Sequence, residues 1–462
     1  MADNTSLRLD FPAVAGKEVI ACFDGGDITS DAGAILVGQA DRKLGLIDAM
    51  TSVVKDSRQS AKVVHAQGTM IRQRVIGIAC GYEDANDFDT LASDPALKIA
   101  CRRAPRTDPD LASQPTVSRL ENRVSRSDVY SMACEVARTV VSQLPKGTRR
   151  IILDLDAYED PCHGQQEFEF FNGHYDSHCY LPLAMFVTSD TDGVQRLMGA
   201  LLRSGKGGQA GVRWVIRLAV DLIRERFPKA TIVLRADAGF GNAQVLDLCG
   251  RLRISYCLGL ATNKRLQTLS TRVQMQACLR YTFAREDWAK EDGGVYRMFD
   301  QFDYKAGTWD RKHPVVAKVE ITQGALNPRY LVTDLFNVNS PVRSARQRAC
   351  KKAYTFYCGR GDAENRIKEF KLDLCAGRTS CHRFLANQFR LLLHVAAAVL
   401  VSTIQQAAKE TEYRKAQAST IRLRLLKLGA RVVESTRRIW LHLSTAYPSQ
   451  DAWHRIYAAL VT

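Results

Sequence analysis

The chain has 462 residues, enough for roughly two to four domains, and its 46% hydrophobic and 25% charged content is that of a globular protein. A formal net charge of +16 points to a polyanionic partner, and no lipidation motif or isolated polybasic tail argues for a membrane surface instead. Thirteen cysteines, an odd number with no Cys-x-x-Cys pair, argue against a disulfide framework or a zinc ribbon and fit reduced thiols in a cytoplasm.

The N-terminus lacks a basic segment followed by an apolar run, so no secretion signal is expected. Residues 17–37 alternate around Gly25-Gly26 and predict a β-hairpin or small sheet. From Asp41 to about Tyr82 the apolar period becomes helical, with Lys55, Arg58, Arg72 and Arg74 beside the stripe. A loop at Arg102–Ala112 leads to Ser113–Arg123, where Ser118-x-x-Glu121 predicts a capping box. That helix is either a plain capped helix, the favoured reading, or one presented to DNA. It runs to about Leu144, and Pro145-Lys-Gly-Thr148 closes a first domain over 1–145, expected to bind DNA.

Arg149–Asp156 predicts a strand that ends in acid. Gln166–Asn172 and Leu183–Thr188 predict antiparallel partners for it. A helix over Ala210–Phe227 precedes a second acid-ended strand, Thr231–Asp237, then a helix over Asn242–Leu252 and a strand over Ser255–Leu260. This order defines an α/β arrangement over 146–264, with carboxylates where open sheets place chemistry. Residues 265–345 read as a β-rich insertion containing Trp288 and Trp309. Residues 346–408 hold a glutamate helix, and the apolar run Leu391–Ile404 predicts a buried helix, too short to span a bilayer. The basic stretch Glu412–Arg438 makes 409–462 a basic helical tail.

Three carboxylates stand out. Asp156 and Asp237 terminate strands, and Glu364 lies in Tyr357-x-x-Arg360-x-x-x-Glu364-x-x-x-Lys368-x-x-Lys371. On one helix, offsets of −7, −4, 0 and +7 from Glu364 share a face, with a carboxylate among cations and a phenol. Three acids of this kind can hold a pair of Mg²⁺ ions, with Mn²⁺ able to substitute, and activate both oxygens of a phosphoryl displacement. Asp154, two residues before Asp156, points to the same face. Asp156 is preferred because it fits the motif position. Gly359 and Gly361 each cost about 1 kcal/mol inside a helix, so the glutamate helix can also start near Asp362 and leave Tyr357 and Arg360 on a loop. His174-x-x-x-His178 has metal-like spacing only on a helix, and that region reads as strand and turn.

The chain resembles a DDE-type transposase of a bacterial insertion sequence, in the superfamily marked by a Tyr-Arg-Glu-Lys signature that Tyr357, Arg360, Glu364 and Lys371 match. Leu155-Asp156-Ala157 and Arg235–Phe240 resemble the segments around the first and second aspartates. Tyr158 departs from the threonine usual there. Asp160–Gln166, Ala79–Asp84 and Ser113–Arg123 resemble the insertion-sequence 1380 group. The resemblance implies an RNase H-like core interrupted by a β-rich insertion, with a mostly helical N-terminal domain and a basic helical tail. It implies Asp156, Asp237 and Glu364 as catalytic metal ligands, and Tyr357, Arg360 and Lys371 on the phosphates flanking the cut. Lys368 joins them as a DNA contact, and Trp288 or Trp309 is expected to stack on a displaced base. Partners implied are double-stranded DNA at transposon ends and target, and a second copy in a synaptic homodimer, in a bacterial cytoplasm. A regulatory DNA-binding protein, or a nuclease that cuts without joining, is the alternative.

Overall fold

The structure is a computed structural model that describes residues 8–283, 295–322 and 325–462. Strands β1 (Leu9–Val14) and β2 (Lys17–Ala21) pair as an exposed antiparallel hairpin. The hairpin expected across 17–37 is therefore displaced upstream. β3 (Ile28–Thr29) pairs elsewhere, and Ala34–Leu44 is helix because Ala34, Leu36, Val37 and Ala40 form one buried face. Helices Leu46–Ser52, Gln67–Cys80 and Gln114–Arg123 come next. Arg72 and Arg74 turn inward: Arg72 Nε pairs with Asp41 at 3.3 Å, and fully buried Arg74 donates from Nε to Glu121 at 2.9 Å. Glu121 is thus an ion-pair partner and not half of a capping box; the helix begins at Gln114 after Ser113, with Pro115 in its first turn.

β4 (Arg150–Ala157) opens an eight-stranded mixed sheet. Three short strands, β5 (Asp160–Pro161), β6 (Phe170–Asn172) and β7 (Ser177–Tyr180), form a separate small sheet, so the 166–172 stretch does not join β4 as expected. The antiparallel neighbours are β8 (Leu183–Ser189) and β9 (Gln195–Leu201), the latter not expected from sequence. β10 (Thr231–Ala236) and β11 (Ser255–Leu260) lie parallel to β4 on its other side. β12 (Val295–Tyr304), β13 (His313–Thr322) and β14 (Ala325–Thr333) extend the same sheet antiparallel, giving the order β12-β13-β14-β11-β10-β4-β8-β9. Tyr281–Phe283, within the stretch expected to be β-rich, ends the helix Thr271–Phe283.

On β4, Ile151, Leu153 and Leu155 are fully buried on one face, while Arg150, Ile152, Asp154 and Asp156 alternate onto the other. The helix Arg343–Cys358 lies on β11, β12 and β13 through its buried Cys350 and Ala353, which cluster with Cys257, Val316 and Leu331.

The helix Phe384–Ala407 has the length and hydropathy of a membrane span, yet most of it is buried in the protein. After it, the expected helical tail holds a hairpin of β15 (Ala430–Glu434) and β16 (Ile439–Leu443), to which β3 adds as a third strand, and a final helix Gln450–Val461. Two compact units result. One comprises Met1–Glu135, Glu369–Arg378 and Leu385–Thr462; the other comprises Val136–Lys368 and Thr379–Phe384 and contains the large sheet.

Candidate functional site

β4 and β10 run parallel, with Leu155 opposite Ala236, so one further step sets Asp156 and Asp237 side by side at the carboxyl ends of neighbouring strands. Strands in a sheet are about 4.8 Å apart, which brings the two carboxylates within strong mutual influence. Asp237 sits in the turn after β10, where its Oδ1 accepts the Gly239 N–H at 2.9 Å. Glu364 lies in the first turn of a short helix, Gly361–Lys368, half exposed. Arg360 joins the groups, donating from Nη1 to Asp156 Oδ2 at 2.9 Å and from Nη2 to Glu364 Oε1 at 2.5 Å.

Burial pushes the Asp156 carboxyl up to about 6; Arg360 pulls it down, while the charges of Asp237 and Glu364 add to the push. Burial lowers Arg360, but Asp156, Tyr357, Glu364 and Asp237 outweigh it and hold the guanidinium above its ordinary value. The Tyr357 phenol is raised by burial and, in smaller part, by Asp237. Four of the residues singled out from sequence, Asp156, Asp237, Glu364 and Arg360, therefore share one electrostatic environment with Tyr357 beside them.

The single helix expected across Tyr357–Lys371 is broken. One helix ends at Cys358, Gly359 and Arg360 form a junction, and a second starts at Gly361 and gives way to a π-helical turn over Glu369–Asp373. Tyr357 thus approaches from the last turn of one helix, Arg360 from the junction, and Glu364 from the next helix. Lys368 is exposed at that helix's end, and Lys371 sits on the π turn, which belongs to the other unit. An inserted π residue rotates the turn downstream of it, so Lys371 no longer shares the helical face that ideal spacing gives it. Trp309 is buried, its ring edge-on to Tyr304 at 5.2 Å and His313 at 5.3 Å, and it offers no open face for a base. Trp288 lies outside the described residues. His178 bonds Glu169 at 3.0 Å and the His174 ring meets Tyr175, so this pair does not converge on a metal.

Asp154 is spent on structure. Its carboxylate accepts Arg235 Nε at 2.5 Å, Arg235 Nη2 at 2.9 Å and Gln195 Nε2 at 2.9 Å. Arg235 also donates from Nη1 to the Phe356 carbonyl at 2.6 Å, and its guanidinium lies 5.1 Å from the Phe356 ring centre. A cation at a helix C-terminus is favourable, and here it ties the helix that carries Tyr357 to β10 and β4. Two glycines make the close approach possible. A Cβ on Gly359 would lie 2.5 Å from Arg235 Nη1, and one on Gly259 would lie 2.6 Å from the Tyr357 hydroxyl and 2.8 Å from the Ala238 nitrogen. Sequence reasoning missed Arg235 and Gly259. The available signal was the echo between Asp154-x-Asp156 and Arg235-x-Asp237, opposite charges at the same offset on two strands.

Chemically, three carboxylates with an unmet demand for positive charge suit a hard divalent cation. As the side chains stand, no group of three His, Cys, Asp or Glu among the described residues is gathered as a ligand set; the Arg360 guanidinium bridges Asp156 and Glu364. The donor chemistry fits a metal, with Arg360 as the present counter-ion.

A mixed α/β chain with acids at adjacent parallel strand ends and a third on a following helix fits the DDE class. Residues 11–462 match the family model described as "Transposase DDE domain group 1", and the chain belongs to that family. Among solved structures, the cryo-EM structure of a piggyBac transposase synaptic complex with hairpin DNA is similar over 85% of this chain and 80% of that chain, at 13% identity and a TM-score of 0.40. No curated protein matches.

Proposed function

We propose that the chain is an active transposase of the insertion-sequence 1380 group, which cleaves phosphodiester bonds at the ends of its element and transfers the 3′-OH strands into target DNA. The observation that carries this is the placement of Asp156 and Asp237 on adjacent parallel strand ends, with Glu364 linked to Asp156 through Arg360. The strand order β9-β8-β4-β10-β11, three antiparallel strands followed by two parallel ones, supports an RNase H-like core. On this reading residues 1–145 bind DNA, 265–345 are the insertion, and a homodimer in a bacterial cytoplasm brings two ends together.

Asp156, Asp237 and Glu364 would hold the Mg²⁺ ions, which when bound supply charge neutralisation at the attacking and leaving oxygens. Arg360 is the cation nearest the acids, and its planar fork suits a phosphate flanking the cut. Tyr357, kept protonated by burial, donates a hydrogen bond to a phosphate oxygen. Burial and the charges of Asp237 and Glu364 push the Asp156 carboxyl up in the metal-free site, and a bound cation would favour its ionised, ligating form. Lys368 and Lys371 contribute charge along the flanking backbone.

The test is Mg²⁺-dependent cleavage and joining of DNA carrying the element's own ends, comparing wild type with Glu364→Gln. Loss of cleavage with retained end binding is the expected result. Undiminished cutting by the variant overturns the assignment, and cutting without joining identifies a nuclease.

A further inference from the structure

The helix Arg343–Cys358 contains five cations and no acid. Its buried side is Cys350 and Ala353, and its exposed side carries Arg348, Lys351, Lys352 and Thr355 at spacings of three and four residues. Together with Arg150, Phe336 and Phe356 these residues line an open cavity of about 510 Å³. Arg346, on the flank of the same helix, pairs with Asp300 at 3.1 Å. Among the described residues no carboxylate pairs with Arg150, Arg348, Lys351 or Lys352. Four uncompensated cations around one cavity repel one another and are relieved by an anion with several charges.

The floor of the cavity is shaped for contact. Phe336 holds φ at 66° and Asn337 at 50°, the left-handed region that a bulky side chain rarely enters, and such strain gathers at binding sites. The Phe336 ring meets Phe356 at 5.6 Å and lies 5.3 Å from the Lys352 ammonium. Arg150 opens β4, six residues before Asp156 and on the same face of the sheet, so the Arg150 end of the cavity lies roughly 20 Å from Asp156 along that strand, while Phe356, whose carbonyl accepts from Arg235, borders its near side. One face thus presents cations at one end of β4 and acids at the other.

We propose that this cavity is a second DNA contact, a site for the sugar–phosphate backbone of duplex DNA away from the reacting phosphate. Arg150, Arg348, Lys351 and Lys352 neutralise phosphates there, and Phe336 with Phe356 offers an apolar floor to the sugars. The inference rests on the transposase reading for its choice of polyanion.

The experiment is fluorescence anisotropy with labelled random-sequence duplexes of 30 base pairs, titrated between 50 and 300 mM KCl in EDTA. Wild type is compared with Lys351→Gln/Lys352→Gln and with Arg348→Gln, after thermal melting confirms that each is folded. Each neutralised phosphate contributes about 0.9 to the slope of log K against log salt, so the double variant is expected to lower that slope by about 1.8 and Arg348→Gln by about half as much. Affinity at 100 mM KCl is expected to fall about tenfold in the double variant. Slopes and affinities equal to wild type overturn the proposal. Failure of the transposase reading looks different: wild type then shows no Mg²⁺-dependent cleavage of its ends, while the slope difference stands.

Discussion

Asp154 and Asp156 stand two residues apart on one strand, face the same way, and each holds an arginine, yet the two pairs differ in kind. Asp154 is fully buried and accepts three hydrogen bonds, two of them from the fork of Arg235. Asp156 shares Arg360 with the half-exposed Glu364, accepts only the Ala157 N–H besides among the described residues, and has two further carboxylates acting on it. In the first pair the cost of burying charge is met by bidentate geometry and filled lone pairs. In the second it is not, and burial drives the carboxyl up to about 6. A saturated acid is structure; a buried acid with unmet charge, sharing its arginine with a half-exposed carboxylate, is where a cation or a phosphate is wanted.

The largest expected break falls on the open side. Asp237→Asn should lower Mg²⁺-dependent cleavage of element ends by more than about 10³-fold, roughly 4 kcal/mol in the barrier, while thermal melting stays close to wild type. A variant that cuts normally would remove Asp237 from the open cluster. On the closed side, Asp154→Ala leaves Arg235 buried without its partner and should destabilise the sheet-bearing unit by about 3–5 kcal/mol, read by urea unfolding. A stable Asp154→Ala protein would show that the closed pair is dispensable.

Asp156→Asn should behave oppositely to Asp154→Ala. A carboxyl raised on folding from 3.8 to about 6 contributes stability that is present below about pH 4 and is lost as pH rises through 6. At pH 8, in EDTA, the ionised buried form therefore weighs against the fold, by about 1–3 kcal/mol. The neutral amide removes that burden, so the urea midpoint at pH 8 should hold or rise, and the gain should vanish near pH 4. A loss as large as that of Asp154→Ala would erase the distinction between the pairs.

Which acid was open was only partly legible. The two strands are readable from Ile151–Leu153 and Ile232–Leu234, apolar runs that lead within three residues to Asp156 and Asp237, but nothing local says that β4 and β10 are neighbours in register. That register is what sets Arg235 opposite Asp154. The break at Gly359 follows from the cost of glycine in a helix, whereas the π turn at Glu369–Asp373 has no comparable local mark. Joining the strands of 295–333 to the same sheet depends on β11 pairing with β14, some 70 residues away in sequence, a contact that alternation alone does not specify. The C-terminal hairpin was hidden because Arg422, Arg424, Arg431 and Arg438 read as a basic helix, while the alternation in β15 spans only five residues.

The smallest predicted effect tests how much of the closed pair is Arg235 alone. Gln195 reaches from β9 to donate from Nε2 to Asp154 Oδ2, while its own Oε1 is buried with no hydrogen-bond partner among the described residues. Gln195→Leu removes one hydrogen bond to a carboxylate, worth about 1.5–3 kcal/mol, and with it the cost of the unsatisfied oxygen, about 1–3 kcal/mol. The two changes oppose each other, so urea unfolding should show a net loss below about 1 kcal/mol, far smaller than that of Asp154→Ala. Because both bonds from Arg235 remain, the Phe356 carbonyl stays tied and Tyr357 and Arg360 keep their places, so cleavage per folded molecule should be unchanged. A loss approaching that of Asp154→Ala would mean that the amide, and not the guanidinium fork, is what makes the buried charge tolerable.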